Sequence, residues 1–283
     1  MALRIGDRVK HPTLHDQWGP GEVLAVTMDG KVTVHFALAG QKILKGVVLE
    51  TLTGTSADHP ALETRKSSTK GRRSSRSLDA MQESFLRLFP KGFYDPRYLE
   101  EERDYKLEAS ALLASTLGQS ELSDLLQAND FNEITSRALA VLAKTNLVSA
   151  SEKMDFKEGL VTDAQRESFA RAFADLLYGT SEYRARFDAF SHMLEEIGAN
   201  KWPVATYFPF IAFPKEHMFL KPELTKRAAQ ACNVDLNYRA QLNWWTYESL
   251  LNFTSTLDEL ISDLKPRDNL DLQAFMVCIG ARM

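Results

Sequence analysis

RIGDRVKHP (residues 4–12), GPGEVLAV (19–26) and DGKVTVHFALAGQKIL (29–44) read together as a run of short strands punctuated by glycine. Val32, Val34 and Phe36 alternate with Thr33 and His35, the period of two expected of a strand with one buried face. Asp29-Gly30 predicts a hairpin, because the turn needs positive φ that glycine adopts without strain. Gly19, Gly21 and Gly40 mark the other bends, and strands are expected at 8–10, 22–26, 31–36 and 41–44. Residues 1–52 therefore form a small all-β barrel whose core is marginal for its size.

Beyond it the composition changes twice. Residues 53–77 hold almost no aromatic or branched apolar side chains, and such a segment cannot bury enough surface to offset the entropy of ordering. This predicts a disordered, serine-rich linker. Its second half, RKSSTKGRRSSRS (65–77), carries Arg65, Lys66, Lys70, Arg72, Arg73 and Arg76 without one acid. Residues 1–80 contain 12 basic and 8 acidic residues, whereas the remainder contains 22 and 30, so the overall charge of −4 conceals a basic front and an acidic body. A basic block of this kind either stays solvated and extended or screens phosphates without sequence preference.

From Leu78 the apolar period becomes that of a helix, and residues 78–283 are expected to be all-α. Asp95-Pro96 opens a long helix ending near Gly118, with Asp95 as cap and Pro96 in the first turn, and Glu100, Glu101 and Glu102 near its positive end. Ser149 with Glu152 and Thr162 with Gln165 form capping boxes for two more helices. WPVATYFPFIAFP (202–214) is apolar all round and suits a central helix bent by Pro209. Further helices are expected over 243–264 and 268–280. The fold class is thus α+β and multidomain: small β-barrel, flexible basic linker, larger all-α domain.

The chain has 283 residues, 44% hydrophobic and 25% charged, enough for two globular units. Cys232 and Cys278 stand far apart and outside any C-x-x-C spacing, which favours neither a disulfide framework nor a zinc site and suits a reducing cytoplasm. The amino terminus lacks the apolar core of a signal peptide, and the 202–214 run is shorter than the roughly 20 residues that span a bilayer, so no membrane role is expected. Phosphate-binding loops, dinucleotide-type glycine turns, H-E-x-x-H and nucleophile elbows are all missing, which excludes those designs. Neither a metal nor a cofactor is expected.

Within the helical part, EHMFLKPELTKR (216–227) offers the best candidate chemistry. Lys221 before Pro222 is pushed toward extended backbone, and the helix that Pro222 begins has free N–H groups, so His217, Lys221, Lys226 and Arg227 could gather round an anion; the alternative is a plain loop-to-helix junction. Asp268 and Asp271 in PRDNLDLQAF (266–275) invite comparison with metal-binding carboxylates, but an N-cap at Asp268 and a first-turn position for Asp271 account for both without a metal.

GDRVKHP, GPGEV and GKVTVHFALAGQKIL resemble the short Tudor-like barrels of bacteria, including a module of some repair helicases and the CarD-type regulators that bind RNA polymerase. The likeness covers about one sixth of the chain, and the loop HPTLHDQWGPG (11–21) is longer than the aromatic-glycine turn common among relatives. What the resemblance implies is docking on polymerase or nucleic acid rather than catalysis, with Arg8, Lys10, His11, Trp18, Lys31 and Lys42 as contact residues. Each has a plainer reading: Trp18 can plug the open end of the barrel, Lys31 and Lys42 can be ordinary turn-flanking lysines, and His11 a loop residue. FPKGFYDPRYLEEERDYK (89–106), KTNLVSASEKM (144–154), HMFLKPELTKRAA (217–229) and RDNLDLQAF (267–275) resemble a widespread bacterial family without an assigned activity. That likeness implies one intact domain over most of 83–280 and carries no site.

The expectation is a nucleic-acid-associated adaptor whose partners are DNA or RNA, RNA polymerase, or another protein of nucleic-acid metabolism. The alternative is an enzyme acting on nucleic acid or a phosphorylated substrate, with His217 and Lys221 as electrophilic or acid groups and Asp268 or Asp271 as acid, base or metal residue.

Overall fold

A computed structural model of the chain describes residues 7–26, 31–36, 39–45, 50–51 and 70–280. They fall into two compact units, divided at Arg72 and Arg73. The first is a five-stranded antiparallel sheet: β1 (Arg8–Lys10), β2 (Gly21–Val26), β3 (Lys31–Phe36), β4 (Gly40–Lys45) and β5 (Glu50–Thr51), in the order β4-β3-β2-β1-β5. Val9, Val23, Val34 and Phe36 are fully buried, with Trp18, Val32, Ala39 and Leu44 packed around them. This is the alternation read from β3, repeated through the register Val23↔Val34 and Phe36↔Gly21. Gly21 is required there: a Cβ would stand 2.6 Å from Val34 and 2.8 Å from Phe36. The Asp29-Gly30 turn lies outside the described residues, although the pairing of Val26 with Val32 brings its two flanks together.

The second unit is helical. Helix α2 (Lys70–Leu88) follows the one-turn α1 (His15–Trp18) of the β unit and takes in the last eight residues of the segment expected as linker. Leu78, Met81 and Phe85 tie the helix into the core. The rest of the expected linker, with Arg65 and Lys66, lies outside the described residues.

After a 3-10 turn at Gly92–Tyr94 come α3 (Pro96–Tyr98), a π-turn (Leu99–Arg103) and α4 (Asp104–Leu117). Asp95 caps this run as expected, accepting from the Arg97 N–H at 3.0 Å, but the π-turn interrupts the single long helix read from the sequence. Helices α5 (Gln119–Gln127), α6 (Phe131–Ala143), α7 (Ala150–Glu158), α8 (Asp163–Tyr178) and α9 (Tyr183–Glu196) follow, with both capping boxes formed at Ser149 and Thr162. Helix α10 (Trp202–Ala212) is buried from Trp202 to Ile211, with Pro209 inside it. Helices α11 (Pro222–Ala231), α12 (Trp244–Leu260) and α13 (Asn269–Gly280) complete the unit. One continuous apolar core runs from Met81 to Met276.

Candidate functional site

The most concentrated chemistry in the helical unit is a buried polar cluster beside the π-turn. Tyr98 and Arg103 are five residues apart, which in an α-helix would set them about 140° apart around the axis. Here the Asp104 N–H reaches back to the Leu99 carbonyl, an i to i+5 bond, and the widened turn lets both side chains reach one carboxylate. The Tyr98 hydroxyl donates to Asp271 Oδ1 at 2.6 Å, and Arg103 Nη1 donates to the same oxygen at 2.8 Å.

Arg103 also forks onto Asp268, with Nη1 at 2.8 Å from Oδ1 and Nη2 at 2.6 Å from Oδ2. From the other side Arg267 gives Asp271 its Nε at 2.8 Å and its backbone N–H at 2.9 Å, and places Nη2 on the Phe93 carbonyl at 2.8 Å. Two carboxylates face two guanidiniums, so the cluster is neutral as a whole. Burial would push the Asp271 carboxyl up, but the hydrogen bonds from Arg267 and Tyr98 and the Arg103 charge hold it below its ordinary value. Burial, reinforced by Asp271, keeps the Tyr98 phenol protonated.

One turn beyond Arg103 stands a less settled group. Lys106 is fully buried, its Nζ makes no hydrogen bond among the described residues, and its nearest counter-charge is Glu102 Oε2 at 3.6 Å. The ammonium also lies 5.3 Å from the Tyr105 ring centroid. Burial pushes Lys106 down to about 8, with Glu102 offsetting part of the cost.

The sequence-read candidates are distributed differently from their expected constellation. Asp268 and Asp271 do meet, but around Arg103 rather than around an open position, and Asp268 also caps α13 by accepting from the Leu270 N–H at 3.0 Å. His217 is buried: its Nδ1 is 3.2 Å from the Tyr247 hydroxyl and its ring stacks on Tyr183 at 4.2 Å. Burial, helped by the Arg186 charge, lowers it to about 4, so the ring is neutral near pH 7.

Lys221 has the extended backbone expected before Pro222, and its Nζ donates to the Leu147 carbonyl at 3.3 Å. Lys226 pairs with Glu223 at 2.6 Å and lies over the Tyr238 ring, while Arg227 is exposed. The cations expected at the start of α11 thus turn to different partners instead of converging on one anion position. Among the described residues no group of three His, Cys, Asp or Glu side chains is placed to hold a metal ion, and no helix is long and apolar enough to cross a membrane.

In the β unit the long loop after β1 folds over the sheet. His11 Nδ1 accepts from the N–H groups of Thr13 and Leu14 at 3.3 and 3.2 Å, which fixes the loop before α1. Helix α1 then sets Trp18 between His11, at 4.7 Å between ring centroids, and Phe36, at 5.1 Å. Lys42 from β4 holds its ammonium 5.6 Å from the centre of the Trp18 ring. Trp18 thereby covers the small core while keeping part of its surface open, and His11, Trp18 and Lys42 are brought together. Arg8 pairs across the sheet with Glu22 at 3.4 Å. Lys10 lies on β1 beside β5, and Lys31 begins β3. Lys70, Arg72, Arg73 and Arg76 belong to the first two turns of α2.

Residues 3–52 match a family described as a protein of unknown function, DUF3553. No curated protein and no solved structure matches the chain. The family match covers the same residues that the strand pattern marks out.

Proposed function

We propose that this protein is a nucleic-acid-associated adaptor. In this reading the β unit and the basic segment beside it dock on DNA, RNA or RNA polymerase, and the helical unit engages a further partner. The observation that carries the reading is the run of six cations without an acid over 65–77, next to a unit that sets Lys42 over a partly open Trp18. Each cation that meets a phosphate releases a condensed counterion, so such a run supports binding without demanding a base sequence. An aromatic face topped by an ammonium suits a stacked base or an interface side chain equally. The family match over 3–52 supports treating the docking part as a separable module.

The test uses the full chain with Arg65, Lys66, Lys70, Arg72, Arg73 and Arg76 replaced by Gln, and separately the double variant Trp18→Ala, Lys42→Gln. Tagged wild type is recovered from its native cell with and without nuclease treatment. Retention of polymerase or another nucleic-acid enzyme after nuclease, lost in the Trp18 and Lys42 variant, supports protein docking through the β unit. Partners lost on nuclease treatment, and lost also in the Gln variant, support tethering through nucleic acid. Recovery of neither nucleic acid nor its enzymes with wild type would overturn the proposal.

A further inference from the structure

Nothing in the pairing of Lys106 accounts for the burial of its amine. The side chain is fully buried, its Nζ makes no hydrogen bond among the described residues, and the Glu102 carboxylate stands off at 3.6 Å. Buried charges that serve structure alone are paired and hydrogen-bonded, so an amine held short of partners is a candidate for chemistry of its own. Burial pushes the group down to about 8, so near that pH half of it is free amine, the nucleophilic form.

The groups around this amine come from two parts of the chain. Glu102 and Tyr105 flank it on its own segment, and Asp271 and Cys278 act on it from α13. Asp271 and Cys278 are seven residues apart, two helical turns, which sets them within about 20° of each other around the helix axis. Asp271 fixes one end of that stripe against the π-turn through Tyr98 and Arg103, and Lys106 stands one turn beyond Arg103. Cys278 acts on the Lys106 ammonium more strongly than Asp271 does, which puts the amine toward the Cys278 end of the stripe. Cys278 is half-buried and outside any disulfide, so the residue is partly open to a small oxidant while the amine stays inside.

We propose that Cys278 and Lys106 form a reversible covalent cross-link on oxidation by a peroxide, a sulfenamide that ties α13 to α4. Peroxide first takes the thiol to a sulfenic acid, transferring one oxygen to sulfur and releasing one water. The Lys106 amine then attacks that sulfur: the N–S bond forms, the S–O bond breaks, and the hydroxide leaves as water with a proton from nitrogen. The thiol, the amine and one hydrogen peroxide thus give the sulfenamide and two waters, the sulfur having lost two electrons to the peroxide. A thiol reductant reverses the step by displacing the amine from sulfur. This cross-link is independent of docking on nucleic acid or polymerase.

Cys232 supplies an internal contrast. Burial pushes its thiol up to about 11, so it keeps its proton near neutral pH and reacts slowly.

The test treats the full chain with hydrogen peroxide at about pH 8.5 and reads intact mass and tryptic peptides before and after dithiothreitol. Wild type should lose about 2 Da, the two hydrogens removed in the condensation, and yield a peptide containing Lys106 joined to one containing Cys278. Trypsin should no longer cut after Lys106, and dithiothreitol should restore both mass and cleavage. Cys232→Ser should cross-link as wild type does, which separates the product from a disulfide of the same mass change. Lys106→Met should lose the cross-link. Treated together with a cyclic diketone that traps sulfenic acids, this variant should label at Cys278 at least about threefold more than wild type. Cys278→Ser should lose both cross-link and label.

A mass loss that disappears in Cys232→Ser would overturn the proposal in favour of a disulfide. Equal diketone labelling of wild type and Lys106→Met, without a linked peptide, would show that the amine does not reach the sulfur. Neither a mass change nor labelling at Cys278 would sink the proposal at its first step, because the thiol would then be closed to peroxide. The linked peptide is read on wild type itself, so the outcome stands whether or not a variant folds.

Discussion

Asp271 and Lys106 lie beside the same π-turn, and each is a fully buried charge, yet they are accommodated in opposite ways. Asp271 is surrounded by donors: a tyrosine hydroxyl, two guanidiniums and a backbone N–H, with Asp268 balancing the second guanidinium. Lys106 has one carboxylate at 3.6 Å and no hydrogen bond among the described residues. A buried charge that is fully paired stays ionised, whereas one left short of partners relieves the cost of burial by moving its pKa toward neutrality. The difference lies in the widened turn, which aims Tyr98 and Arg103 at the carboxylate while leaving Lys106 inside the α-helical stripe that follows.

Breaking the better-paired charge should have the larger effect. Asp271→Ala leaves Arg103 and Arg267 short of a counter-charge and should cost about 3 to 5 kcal/mol of stability. For a unit of this size that is a fall in Tm of about 6 to 20 °C, read by thermal melting. A loss below about 1 kcal/mol would mean that the cluster is effectively solvated, and the contrast with Lys106 would collapse.

Lys106→Met tests the other side, and its signature is the pH dependence. The ordinary lysine value of 10.5 applies to the unfolded chain and about 8 to the folded one, so between those values the unfolded chain binds more protons. Stability contributed by this site therefore rises with pH across that window, by up to about 3 kcal/mol, and the penalty is fully present below pH 8. The Met variant should lose this rise and be at least as stable as wild type at pH 7, as when a poorly paired buried charge gives way to an apolar side chain. The check is the difference between the two proteins' denaturant-derived stabilities at pH 7 and pH 10. Parallel curves would show that Lys106 keeps its proton throughout.

The elements that hold these groups were legible where one local rule governs them. Asp95 before Pro96, Ser149 with Glu152, and Thr162 with Gln165 announce helix starts because the cap and its partner are a few residues apart, and the structure places helices after each. The alternation from Val32 to Phe36 likewise marks β3 and its buried face. The strand Glu50–Thr51 has only two residues, too few for a period to show, and its place beside β1 is set by pairing.

The buried cluster escaped because it joins residues about 170 positions apart through a turn with no local signature. Glu100, Glu101 and Glu102, read as partners of the helix dipole, divide in the structure: Glu101 bonds Arg97 at 3.0 Å and Glu102 faces Lys106. One signal was present. Lys106 stands at helical spacing from the buried Ala109, Leu113 and Leu117, and a lysine on an apolar stripe marks a place where a charge enters the core.

The smallest expected effect comes from the finest change to the comparison, Tyr98→Phe. It removes one donor from Asp271 Oδ1 while the ring keeps its place among Phe85, Phe89 and Phe93, so apolar packing is preserved. The carboxylate retains the Arg103 and Arg267 bonds and its charge remains compensated. The cost should be about 1 to 2 kcal/mol, in the range of a hydrogen bond to a charged group, and clearly below that of Asp271→Ala. Acid titration of stability gives a second reading: the Phe variant should begin to unfold at higher pH than wild type, because the hydroxyl helps hold the carboxyl below its ordinary value. A Phe variant as damaged as Asp271→Ala would place the weight of the cluster on the tyrosine hydroxyl and not on charge pairing. A Phe variant indistinguishable from wild type in both measurements would mean that the two arginines alone satisfy the carboxylate.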